Sequence, residues 1–200
     1  MGRVGSVALF HSVYGLRASV LRAAERLRDA GHDVVAPDLY GFPATGDLAE
    51  GFALADKVGW AGIVERGRDA VRKLPPEAVL VGFSMGVGVI EALLPERPRT
   101  AGVVMVAGAR AIDPVRPGLR AQLHAADPDA EFVPPAAVAK WTESMTRGGA
   151  AFEVYRYPGV GHLWVDEDLP DYDCPAAGRF WERCEEFLRL SGETQVTCSQ

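Results

Sequence analysis

Short apolar runs and longer mixed segments alternate along this chain. The runs at 4–10, 78–83 and 102–107 are almost uninterrupted, as in strands buried on both faces of a sheet, and those at 34–37, 119–124 and 152–157 have strand length. Between them, segments 18–30, 63–73, 85–94, 134–147 and 170–190 carry apolar residues at helical spacing. Examples are Leu21, Ala24 and Leu27 in the first and Phe180, Cys184, Phe187 and Leu188 in the last. Gly31 follows the first helical segment, Pro75 and Pro76 follow the second, and Pro134 and Pro135 open the fourth. This regular order predicts an α/β fold, a mostly parallel sheet with helices on both faces.

The stretch 40–62, YGFPATGDLAEGFALADKVGWAG, interrupts the rhythm. It is rich in glycine, contains proline, and shows only a brief apolar periodicity at 52–55, so it reads as a long loop with a small helix that walls a ligand site. No internal repeat, linker or second core is visible. One domain over residues 1–190, without a separate lid domain, and a polar tail at 191–200 are the expected organisation.

Composition narrows the partners. Two hundred residues, 48% apolar and 24% charged, match a globular chain able to bury a sizeable core. A net charge of -6 without a Lys/Arg cluster argues against nucleic-acid and anionic-membrane partners and leaves a small-molecule substrate. A strand-like segment begins almost at the first residue, with no secretory signal pattern before it, so a cytoplasmic location is expected. Cys174, Cys184 and Cys198 are odd in number and lack metal-ligand spacing, so neither a disulfide framework nor a metal site is expected, and no cofactor either. Monomer and homodimer both stay open.

The candidate chemistry lies in VGFSMGV at 81–87. G-x-S-x-G at a strand-to-helix junction presents a serine hydroxyl above a sheet, with small neighbours allowing a tight turn. Ser84 is therefore a candidate nucleophile, although a serine there is also a good helix N-cap. The following helix N-terminus favours negative charge, and the N–H of Met85 is a candidate oxyanion donor. Such a serine needs a base held by a carboxylate, in the order Ser, Asp or Glu, His. His162, in YPGVGHLW after the last strand, fits as base better than His11, His32 or His124. The loop HAADPDAEFVPP offers Asp127, Asp129 and Glu131 as acid. Asp129 is preferred, and Asp127 remains an alternative. Tyr14, Phe42, Met85 and Trp164 are candidate pocket walls.

HSVYGL at 11–16, GHDVVAPDLYG at 31–41, GFSMG at 82–86, the loop 127–134 and YPGVGH at 157–162 occur together in order. In them the chain resembles the dienelactone hydrolase family of α/β-hydrolases over nearly its whole length. The resemblance implies a triad of Ser84, Asp129 and His162 with an oxyanion hole from the N–H groups of Val13 and Met85. Founding members of that family carry Cys as nucleophile, a Glu at the position of Ser12 and an Arg at the position of Asp166. The last holds a substrate carboxylate. Ser84 thus implies ordinary serine activation, Ser12 becomes a pocket candidate, and Asp166 implies a different substrate. The expected activity is hydrolysis of a small ester, lactone or thioester through an acyl-enzyme. The alternative is a lyase, aldolase or cyclase step in which His162 acts as base in the same pocket.

Overall fold

A computed structural model describes residues 5–197, with side chains through residue 192, so Val4 of the first predicted strand and residues 198–200 of the predicted tail lie outside the described residues. Six parallel strands form one sheet: β1 (Ser6–Phe10), β2 (Asp33–Val35), β3 (Val79–Phe83), β4 (Gly102–Val106), β5 (Arg120–Asp127) and β6 (Ala151–Pro158), in the order β2-β1-β3-β4-β5-β6. The order reverses beside β1 and β3, a topological switch point where open α/β sheets hold ligands at their carboxyl ends.

Alternation along the strands sends side chains to two cores. On one face Ala8, Phe10, Leu80 and Met105 meet α3 (Trp60–Val71), α4 (Met85–Leu93) and α5 (Pro135–Gly148) through Ile63, Ile90 and Trp141. On the other, Leu9, Val81, Val104 and Val106 meet α1 (Ala18–Asp29) and α6 (Cys174–Thr197) through Leu27, Phe180 and Phe187. The central strands β3 and β4 are fully buried, which is why their sequences are nearly all apolar.

Three stretches differ from the sequence reading. Region 40–62 holds an eleven-residue helix, α2 (Leu48–Val58), and the start of α3 rather than a loop with a small helix. Asp47 caps α2 by accepting the Glu50 N–H at 2.8 Å, and Gly59, at φ +74°, turns the chain from α2 into α3. Strand β5 runs on to Asp127, so His124 lies inside it and not at its end. The last helix continues to Thr197, past residue 190 where the polar tail was expected to begin.

Candidate active site

The turn between β3 and α4 sets Ser84 at φ 48° and ψ −104°, a conformation strained for a residue with a Cβ. Its backbone is pinned on both sides, the Ser84 N–H donating to the Val106 carbonyl at 2.8 Å and its own carbonyl accepting from the Val87 N–H at 2.9 Å. The tight turn needs both glycines of the motif. A Cβ on Gly82 would stand 2.6 Å from the Gly86 carbonyl carbon, and one on Gly86 would stand 2.3 Å from the Phe10 oxygen.

Three loops at the carboxyl end of the sheet bring Ser84, His162 and Asp129 together. The Ser84 hydroxyl lies 3.0 Å from His162 Nε2, and His162 Nδ1 lies 2.6 Å from Asp129 Oδ2. Asp129 Oδ1 accepts the Phe132 N–H at 3.2 Å, and the Phe132 ring lies over His162 at a centroid distance of 4.3 Å. Together these contacts orient the carboxylate and the imidazole toward each other. With the Nδ1 proton directed at Asp129, the arrangement aims the Nε2 lone pair at the hydroxyl. Asp127, two residues earlier, ends β5 with its carboxylate 4.0 Å from Arg156 and its carbonyl accepting the Gly159 N–H. The His162 loop is seated from behind: Asp171 accepts the Leu163 N–H at 3.2 Å and lies so near Gly161 that a Cβ there would be 2.5 Å from its carboxyl carbon.

Met85 is the first residue of α4, where a helix leaves its N–H unclaimed. Val13 lines the same cleft, and both peptides around it are braced. The Ser12 carbonyl, which shares a planar peptide with the Val13 N–H, accepts from His11 Nδ1–H at 2.7 Å and from the Gly15 N–H at 3.2 Å. The Val13 carbonyl accepts the Tyr40 hydroxyl at 2.9 Å. His11 Nε2 in turn accepts the Leu39 N–H at 3.0 Å, so the buried ring uses both nitrogens in its neutral form. Burial pushes its pKa below the ordinary histidine value, which keeps that form.

A cleft of about 720 Å³ opens above these groups, walled by Tyr14, Phe52, Trp60, Ile63, Met85 and Phe132, among others. Of the pocket walls expected from sequence, Tyr14 and Met85 line it and three residues do not. Ser12 is buried behind the loop, with its hydroxyl toward the Tyr14 N–H. Phe42 packs partly buried under Lys57, and Trp164 is fully buried against Tyr157 in the α1/α6 core. Asp166 also faces away from the cleft. Its carboxylate lies 3.2 Å from Arg17 Nε, with both side chains about nine-tenths buried. Arg17 further donates to the carbonyls of Thr45 and Asp168, tying the segment before α2 to the loop after His162. The negative charge at Asp166 is thus answered inside the protein.

Tyr40, Phe132 and Trp60 were not singled out from sequence for the roles they hold. The D-x-x-E spacing of Asp47 and Glu50 is a helix-start signal that could have revealed α2, and through it the Trp60 wall. Among the described residues no cluster of His, Cys, Asp or Glu could hold a metal ion, and no helix is long and apolar enough to cross a membrane.

The architecture recurs in solved structures. A Klebsiella pneumoniae protein named as a dienelactone hydrolase superposes with TM-score 0.75 at 18% identity, covering 94% of this chain and 87% of that one. A dienelactone hydrolase-like promiscuous phosphotriesterase from metagenomic libraries gives 0.72 at 18% identity, with the same coverage. The thioesterase domain of a curacin biosynthetic pathway gives 0.58 at 15% identity over 82% of this chain and 87% of that domain. These likenesses establish an α/β-hydrolase fold. No curated protein matches the chain in sequence. The sequence model of the dienelactone hydrolase family matches residues 3–191, and the chain belongs to that family.

Proposed function

We propose that this protein is a serine hydrolase that cleaves an ester, lactone or thioester of a small substrate through an acyl-enzyme on Ser84. The observation that carries the reading is the relay Ser84 Oγ, His162 Nε2, His162 Nδ1, Asp129 Oδ2, at 3.0 and 2.6 Å, on a strained strand-to-helix turn. Family membership supports a hydrolase.

In the proposed reaction the Ser84 hydroxyl attacks the substrate carbonyl while His162 Nε2 takes its proton, and Asp129 holds the imidazolium that forms. The oxyanion receives the N–H groups of Met85 and Val13, both in place before the substrate arrives. On collapse, His162 returns the proton to the leaving alcohol or thiol. Water then attacks the acyl-Ser84, again giving its proton to His162, and the acid leaves with the serine restored. The tests are turnover of short p-nitrophenyl esters by the wild type and by Ser84→Ala. A loss of about 10⁴-fold or more is expected, and equal rates in the two proteins would remove Ser84 from the reaction.

A further inference from the structure

Three of the five large hydrophobic side chains exposed among the described residues, Leu48, Phe52 and Trp60, line the cleft over Ser84, at 37%, 49% and 47% exposure. An exposed apolar group gains nothing from water, so three in one concave surface mark where a ligand covers them. Trp60 is built in most deliberately. It opens α3, and the edge of its indole rests on Gly88, where a Cβ would stand 2.8 Å from Cη2 and 3.3 Å from Cζ2. Gly88 is buried inside α4, where glycine is a poor helix former, so its missing side chain is the space the indole occupies. Gly88 stands four residues after Ser84, one helical turn further along the cleft.

The charges around this wall disfavour an anionic ligand. Asp56 and Asp171 line the cleft and are exposed, and Arg110, the basic residue of the lining, has its guanidinium engaged by Glu91. A carboxylate on the substrate would find two like charges, while Arg110 is already paired with Glu91.

We propose that the cleft is an acyl-binding subsite for an uncharged, apolar acyl group, and that Trp60, seated on Gly88, is the residue that sets which acyl groups are accepted. This rests on the hydrolase reading above and adds the substrate class to it. Each methylene brought out of water against the wall is worth about fourfold in kcat/KM. Trp60 thus discriminates by chain length, and the acidic rim discriminates by charge.

The test is kcat/KM for p-nitrophenyl acetate, p-nitrophenyl pentanoate and p-nitrophenyl hemisuccinate, the last an anionic isostere of the pentanoate. The wild type is expected to prefer pentanoate over each of the others by about tenfold or more. Trp60→Ala is expected to lower the pentanoate-to-acetate ratio about tenfold, chiefly through KM, and Gly88→Ala to lower it in the same direction by displacing the indole. Hemisuccinate turned over as well as pentanoate, or a ratio unchanged in Trp60→Ala, overturns the proposal. If the wild type hydrolyses no ester, the hydrolase reading fails and the subsite is judged by calorimetric binding of 2-octanone. Binding to Ser84→Ala that weakens about tenfold in Ser84→Ala/Trp60→Ala supports it. Equal binding by the two, or none, overturns it.

Discussion

Asp127 and Asp129 share a loop and a side-chain type, and they differ in what they touch. Asp129 is bonded to His162 and to the Phe132 N–H, whereas Asp127 faces Arg156. Asp129→Asn should therefore lower kcat by about 10³- to 10⁴-fold, because the amide no longer favours the tautomer that presents Nε2 to Ser84. Asp127→Asn should leave kcat near the wild-type value, and steady-state kinetics on one ester reads both. The bracing of Val13 makes a second expectation. His11→Phe removes the donor that holds the Ser12 carbonyl, and should lower kcat by about tenfold to a hundredfold with KM little changed, since the strain falls on the oxyanion and not on the bound ester. A rise in KM with kcat intact would instead make His11 a packing residue. The sequence narrowed the acid to a loop and favoured Asp129 while leaving Asp127 as an alternative, because the path of a loop depends on what it packs against. The seats of Trp164 and Asp166 were equally out of reach. One is taken into a core by Tyr157 and the other by Arg17, partners distant in the chain.

At the scale of elements, the alternation of apolar runs and helical periods was enough for the strands, five of the helices and the junction that carries Ser84. It failed at 40–62 for a physical reason. Helix α2 buries Gly51 and packs Leu54, Ala55 and Val58 against the core, but it also turns Leu48 and Phe52 toward an open cleft, so apolar residues lie on more than one side and the single periodic face that marks a helix is blurred. The junction between β3 and α4 tolerates the least. Gly86→Ala would force a methyl group to 2.3 Å from a backbone oxygen of β1, which cannot swing aside as a side chain can. The expected destabilisation is about 3 kcal/mol or more, a fall in Tm of about 6–12 °C in a thermal melt. Arg17 joins three segments at a nearly buried ion pair, and Arg17→Ala leaves Asp166 buried without its partner. A loss of about 3–5 kcal/mol in urea unfolding is expected, against a few tenths for a surface pair such as Arg147 with Glu143.

Over the whole molecule, three histidines outside the relay are held neutral by burial. His124 is enclosed in β5 by Tyr157 and Gln122, and burial, with Arg183 nearby, takes its pKa down to about 3. His11 and His32 are lowered by burial as well. In the unfolded chain each takes a proton near pH 6.5, so below that pH the unfolded state binds more protons than the folded one. The stability these groups contribute is complete above about pH 6.5 and drains away as pH falls toward 3, at up to about 1.4 kcal/mol per pH unit for His124. The urea midpoint should fall between pH 7 and pH 4.5, and a midpoint flat across that range would show that the histidines titrate alike in both states. Acid loss of activity in this window would then contain an unfolding component separate from any change in the chemistry of the site.

The proposed reaction turns on one side chain, Ser84. The most direct measurement is intact-mass and peptide mapping after reaction with a fluorophosphonate, followed alongside ester turnover. The expected result is one adduct per chain, on Ser84, with activity lost in step with labelling and with labelling slowed in His162→Ala. Full activity after stoichiometric labelling of Ser84, or an adduct that forms elsewhere while Ser84 stays free, would contradict an acyl-enzyme on this serine.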